Sequence, residues 1–599
     1  MRSLRISRIV LAGWLLVLPA SMAQGKPDRP EDTEEFLDAI TLPDAPKPVT
    51  TQSPAAKNPT LPPATSVVPL TAPPVVTSLP RPVEKVDVGM LGTAEGATVG
   101  LLDGVHGLGD DLWSGSERAR VVELLAAGTL VSTDPPMREL SRRIFLTKAQ
   151  APGGPSKHAT ITVRIKELLR AGFIDEAGAL AAQATLTNDP EFSRVQADAL
   201  LYSGRSEDVC SDRTATRLSS GEPFWVELRA YCASTSGDTA LVDLTLAVLN
   251  AGDGDKAFEV LFRDVLTGEK KSPPAVDRPT ALHVYLLRKV GLPVPRWMAA
   301  PGGTPENLFV IRDSRNPLPV RIAAAERIVA TGAVSASELK TLADAEVFPL
   351  SEFADASVRA ETLPFFAGQI LLRSAAKVAR QNQKAQLVQE ALELGEKHNL
   401  LPLVAVMQSD NLIALMPSHG SYAPQFVRAL VLSENPVAAT RWPVTGSLQT
   451  SVMLLTDDGR SYQAMASYVN ELSGKGFVAD GDAKALVLEI ADALGKLPPD
   501  IALKAAGILG QPWSGQRPNA TAVSEISEAA ITHGRKGEAL LLIMEQIRKI
   551  GWKHMAPDAS AQLIRQVAAL GQKSMAEGFA CEALMLYEPP PPLQMKPVP

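Results

Sequence analysis

The chain has 599 residues, with 59 basic and 66 acidic side chains and a net charge of −7. No basic block concentrates the positive charge, which excludes nucleic acid as an expected partner. Aromatics make up 5% of a chain that is 45% hydrophobic, so its core must be built from Ala and Leu, the material of stacked helices. Three cysteines are too few for a disulfide framework, although an oxidising compartment lets one pair form.

At the start, Arg2, Arg5 and Arg8 precede the apolar run Ile9 to Ala20, and Ser21-Met22-Ala23 follows. A basic region, a short apolar core and small residues in that order predict a signal peptide over 1–23, cleaved between Ala23 and Gln24. The run is too short for a comfortable span, which takes about 20 apolar residues. An uncleaved inner-membrane anchor is the alternative. No second run of spanning length follows, so no stable membrane insertion is expected after cleavage. Residues 24–88 hold 14 prolines in 65 positions. Proline fixes φ and removes donors, which predicts a disordered arm of polyproline II and coil. Fully extended, it reaches roughly 200 Å. Within it, Phe36, Leu37 and Ile40 of EDTEEFLDAI share a face at helical spacing.

Eight glycines interrupt residues 89–115, too evenly for a phosphate-cradling loop and without a preceding strand. This predicts an irregular segment that lays Leu101, Leu102, Leu108 and Trp113 on a folded body. From Ser116 onward the pattern is helical. An N-terminal helical-repeat lobe is expected over 116–290, a Pro/Gly linker over 291–319 and a middle lobe over 320–500. A C-terminal lobe over 501–588 and a Pro-rich tail over 589–599 complete the division. In the middle lobe the apolar spacing predicts helices over Val320 to Thr331, Ser335 to Ala345, Leu363 to Arg380, Lys384 to His398, Tyr462 to Leu472 and Asp482 to Leu494.

One phrase recurs, a glycine followed five residues later by alanine, at Gly172/Ala177, Gly252/Ala257, Gly534/Ala539 and Gly571/Ala576. Further turns follow at Gly204, 32 residues after Gly172, and at Gly237, 33 residues after Gly204. This resembles the turn and second helix of a degenerate tetratricopeptide repeat, with its 34-residue period. In that family glycine reverses the chain between antiparallel helices and the small alanine lets them approach closely. The aromatic and glycine positions of the family's first helix are mostly absent here. The resemblance implies an all-α fold, an α-solenoid of stacked antiparallel helix pairs.

The turn at Gly204 places Cys210 in the first turns of one helix, with Cys232 near the end of the next. Antiparallel packing then brings them within disulfide range. Cys581 reads as a buried free thiol. The seven histidines are scattered without zinc spacing, and no cysteine has an assignable histidine partner, so neither a metal nor a catalytic site is expected. His419 sits in a serine-flanked turn that lacks the nucleophile-elbow glycines. Asp110-Asp111, Asp457-Asp458 and Glu393/Glu396 read as turn and solvated-face residues rather than a glycan-cleaving pair. Phe224, Trp225, Trp297, Trp442, Trp513 and Trp552 read as plugs between helices. Arg138, Arg142 and Arg143 form the densest positive run, either the wet side of a helix or a patch for an anionic ligand or glycan.

Export, a long arm, a helical array and the absence of catalytic or cofactor motifs together predict a periplasmic, non-enzymatic scaffold without cofactors. Its expected partner is another envelope protein. A peptidoglycan- or polysaccharide-binding protein or enzyme is the alternative.

Overall fold

The computed structural model describes residues 98–186, 189–211, 221–251, 255–346, 348–417, 420–474, 480–509 and 521–588. The signal peptide with Ala23 and Gln24, the arm, Gly252, His419, Trp513 and the tail lie outside them. Among the described residues the fold is all-helical, with no β-strand.

The first helices are α1 (Arg118–Ala126), α2 (Pro135–Leu146), α3 (Thr160–Arg170), α4 (Ile174–Gln183), α5 (Pro190–Tyr202), α6 (Ser206–Val209), α7 (Pro223–Ser236), α8 (Thr239–Ala251), α9 (Lys256–Thr267) and α10 (Ala281–Val290). Next come α11 (Arg296–Ala299), α12 (Thr304–Arg312), α13 (Leu318–Ile328), α14 (Ala336–Ala345), α15 (Ala356–Thr362), α16 (Phe365–Val378), α17 (Gln381–Lys397), α18 (Leu401–Met407), α19 (Ser409–Ile413) and α20 (Ala423–Leu432). The last are α21 (Pro436–Ala439), α22 (Gly446–Leu455), α23 (Ser461–Leu472), α24 (Gly481–Ala493), α25 (Pro499–Ala505), α26 (Thr521–Thr532), α27 (Lys536–Ile550), α28 (Pro557–Ala569) and α29 (Lys573–Leu586).

Local chemistry starts many of them. Asp189 accepts from Phe192 N at 2.9 Å to cap α5, and Asp255 accepts from Ala257 N and Phe258 N to cap α9. Ser335 and Glu338 form a capping box on α14. Prolines stand in the first turns of α2, α5, α7, α12 and α28, where no donor is missed. At Gly172, Gly534 and Gly571 the backbone is left-handed, and Ala177, Ala539 and Ala576 are fully buried in the helix that follows. These phrases therefore build helix–turn–helix units, as their residue types require.

Packing does not stop at chain neighbours. Helices pair in succession, as α4 with α5, α9 with α10, and α16 with α17, while α10 also packs on α5 and α24 lies on α28. The path then returns on itself, because α27 packs on α1 and α29 packs on α2 and α20. Residues 98–115 help seal this closure. Leu108, Leu112 and Trp113 are buried, Gly537 N donates to Leu112 O at 2.8 Å, and Lys536 Nζ donates to Leu108 O at 2.6 Å. Buried Arg164 pins the same segment, donating to Phe145 O, Val99 O and Thr147 O. Farther along, fully buried Arg373 ties α16 to Asp344 of α14 and to Asp410 of α19.

The stretch 291–319, expected as a linker, carries α11 and α12 instead. Asn307, Leu308, Val310 and Ile311 of α12 are buried, and the helix packs on α13 and α3.

Candidate functional site

The closure of the helical path leaves a cleft in two chambers, on either side of the loop that joins α1 to α2. The first is about 670 Å³, with walls from Arg138, Phe173, Tyr202, Arg288, Phe309 and Leu403. The second is about 510 Å³, with walls from Asp134, Glu396, Arg428, Ile547, Trp552 and Lys553. Ser132, Thr133 and Pro402 line both.

Two glycines let the loops of the first chamber meet. Gly172 has φ +81°, and a Cβ there would lie 2.7 Å from Ala333 Cβ. Gly332 has φ +67°, and a Cβ there would collide with the Ser132 carbonyl. A Gly332→Ala change therefore carries a backbone cost of about 1–2 kcal/mol and an overpacking cost of about 1–3 kcal/mol. Gly534→Ala carries the first cost alone, since its φ is +71° and no atom lies within 4 Å of its Cβ position. Denaturant unfolding of both variants should place Gly332→Ala clearly lower. Equal losses would remove the loop contact from the account of the cleft.

Arginine stacked on phenylalanine is the recurring unit of the first chamber. The Arg138 guanidinium lies 4.1 Å from the Phe173 ring centre and donates to Ala171 O at 2.7 Å. Burial pushes its pKa down to about 10, against a smaller upward pull from Glu176. Arg288 lies 4.2 Å from the Phe309 ring centre and donates to Tyr202 O at 2.9 Å. Arg312, by contrast, is paired with Glu338 at 3.0 Å. Behind this wall the Tyr202 hydroxyl donates to the buried Glu306 carboxylate. Burial lifts the nearby Asp198 carboxyl to about 6, Arg194 drawing it down and Glu306 adding to the rise.

Carboxyl pairs mark the second chamber. Asp134 stands at the N-cap position of α2, and Glu582 of α29 faces it. Trp552 Nε1 donates to Glu582 Oε2 at 3.2 Å. Burial, then the Asp134 carboxyl beside it, hold Glu582 well above the usual carboxylate range. Lys553 bridges Glu588 at 2.7 Å and Glu396 at 3.6 Å. Burial lowers the pKa of Arg428, which also borders a smaller pocket of about 140 Å³.

Cys210 and Cys232 form a disulfide with Cα atoms 5.3 Å apart, linking the end of α6 to α7. Cys581 keeps a free, half-buried thiol that burial, with Glu434 beside it, pushes up to about 11. The arginines of α2 do not make a common patch. Arg138 turns into the cleft, Arg142 pairs with Glu139 and Glu176, and Arg143 donates to Gln572 Oε1 and to the carbonyls of His106 and Gly107. All three are half-buried, so the helix has no wet arginine side. Phe224, Trp225, Trp442 and Trp552 are buried plugs, as expected, and Trp297 is half-buried against the core. Glu396, read from the sequence as a solvated-face residue, faces the second chamber instead. No local signal could have found it, because its neighbours Arg428 and Lys553 are distant in the chain. Among the described residues no helix is long and apolar enough to cross a membrane, and no three His, Cys, Asp or Glu side chains are grouped to hold a metal.

No protein-family model matches this chain, and neither does any curated protein or solved structure.

Proposed function

We propose that this protein is exported by a cleaved signal peptide to the periplasm and works there as a tetratricopeptide-like, non-enzymatic scaffold. Its α-solenoid character is the stacking of antiparallel helix pairs. Its cleft holds a segment of another envelope protein, and the Pro-rich arm gives reach. The observation that carries this reading is the cleft itself, assembled where the first, middle and last helices meet. Its apolar walls and rigidly stacked cations suit a side-chain-bearing chain. A polysaccharide stacks on open aromatic faces, but guanidiniums cover Phe173 and Phe309. The Cys210–Cys232 bridge fits an oxidising compartment.

Photo-crosslinking residues placed at Phe309 or Leu403 should capture one envelope protein in cells. The same residue at exposed Val105 or Leu350 should not. A cleft that yields no protein adduct, or purified protein that hydrolyses an envelope polymer, sinks the proposal. N-terminal sequencing that returned Met1 instead of Gln24 would replace export by anchoring.

A further inference from the structure

Three arginines of the cleft have no carboxylate in ion-pair contact; Arg138 and Arg428 are half-buried, while Arg288 keeps an exposed side. Arg138 and Arg288 line the first chamber and Arg428 the second. Among the described residues none of the three forms an ion pair. Arg138 and Arg288 donate to carbonyl oxygens, and Arg428 Nε is buried with no acceptor. Of the carboxylates that act on them from farther away, Asp175 lines the first chamber near Arg288, and the others are engaged elsewhere. Glu176 pairs with Arg142 at 3.3 Å, while Glu396 and Glu588 share Lys553. Burial lowers the pKa of all three guanidiniums, Arg138 to about 10. A partly desolvated cation without a counter-charge is unfavourable, and a carboxylate delivered to Arg138 or Arg428 meets a donor whose hydration is already partly lost.

We propose that the cleft takes an extended acidic protein segment, with carboxylates pairing to Arg138, Arg288 and Arg428 and apolar side chains filling the space between. This rests on the reading of the cleft as a binding site. Arg288, over Phe309, donates through Nη1 to Tyr202 O and keeps Nε and Nη2 for a carboxylate, whereas Arg138, over Phe173, spends Nη1 on Leu130 O and Thr331 O and Nη2 on Ala171 O and offers its remaining N–H groups. Pro135, Val406, Met137 and Ile547 supply the apolar walls between the cations. An acidic glycan would bring carboxylates, but it would also press hydroxyls against those walls, which a peptide with alternating acidic and apolar side chains avoids.

The test uses the mature full chain and fluorescence anisotropy. The probes are a short labelled peptide of alternating glutamate and leucine, its glutamine counterpart, and polygalacturonate as competitor. The glutamate peptide should bind about tenfold or more tightly than the glutamine one, and its affinity should fall as salt rises. Arg288→Gln and Arg428→Gln should each weaken it about tenfold or more. Arg460→Gln, which removes an exposed cation paired with Asp458 away from both chambers, should leave it unchanged. Thermal melts of each variant separate lost binding from lost folding, and the salt dependence of the natural protein gives a readout that needs no variant. Equal binding of the two peptides, or arginine-independent binding, overturns the proposal. Tighter binding of polygalacturonate reassigns the cleft to a glycan and overturns it as well. A cleft crosslink to a protein segment without acidic residues overturns the acidic assignment and leaves the scaffold function standing.

Discussion

Breaking the Cys210–Cys232 bridge is expected to lower the unfolding free energy by about 3 kcal/mol. The two cysteines are 22 residues apart. Closing a loop of that length in the unfolded chain removes roughly this much conformational freedom. The chain between them passes from α6 to α7, and buried Phe224 and Trp225 seat α7 on the core. A Cys210→Ser/Cys232→Ser double variant avoids leaving one reactive thiol behind. Guanidinium unfolding of the natural protein, with and without reductant, should differ by the same amount as natural and double-variant protein do without it. Cys581 supplies an internal control, because burial holds its thiol near 11 and suppresses the thiolate that reacts. Native protein should therefore show no fast thiol reaction at pH 8, and mild reduction should reveal two fast-reacting thiols. Two fast thiols before reduction would show that the bridge does not form in the isolated protein.

That pairing was legible because it depends on local features, a glycine turn and the ends of two consecutive helices. The middle-lobe helices were legible for the same reason. The spacing predicts 335–345 and the helix is Ala336–Ala345, capped by Ser335; it predicts 462–472 and the helix is Ser461–Leu472. Proline counting failed over 291–319, because Pro305 stands in the first turn of α12, where it assists the helix rather than breaking it. The cleft was not legible. Arg138, Arg288, Arg428 and Trp552 come from four distant stretches; the loops at Gly172 and Gly332 bring the first two to one chamber, and the closure of α29 onto α2 and α20 brings the last two to the other. No periodicity in one stretch encodes that meeting. The run of arginines in α2 shows the same limit. Arg138 and Arg142 share a side of the helix, yet Arg138 tucks under the turn at Ala171 while Arg142 finds Glu176. Arg143, on another side, reaches Gln572 at the start of α29.

The same closure should make the protein lose stability as pH rises above the ordinary carboxylate range. Asp134 comes from the start of α2 and Glu582 from α29, so this pair joins the first and last parts of the helical path. Their side chains face each other out of water, with Trp552 Nε1 on the far oxygen of Glu582 and Cys581 as the other titratable neighbour. Two carboxylates so placed cannot both ionise cheaply, and the fold retains a proton that the unfolded chain releases near the ordinary value of 4.5. Wherever the folded state holds more protons, stability falls with rising pH, by about 1.4 kcal/mol per pH unit for one proton. The contribution is thus intact below 4.5 and is lost as pH climbs through the raised folded value. Glu227 behaves alike. Burial lifts it to about 7, with His283 opposing and Asp255 adding, which makes its own loss about 3 kcal/mol. Carboxylates shifted the other way, such as Asp313 beside Arg315, finish titrating below their ordinary value of 3.8 and add no slope above pH 5. Unfolding free energy measured from pH 5 to pH 8 should therefore decline. A Glu582→Gln variant keeps an acceptor for Trp552 and offers Asp134 a permanent donor, so it should match the natural protein at pH 5 and exceed it at pH 8. Glu227→Gln should flatten the remaining slope. An unchanged slope in Glu582→Gln would mean that no proton is held between α2 and α29, and that apolar packing alone closes the path.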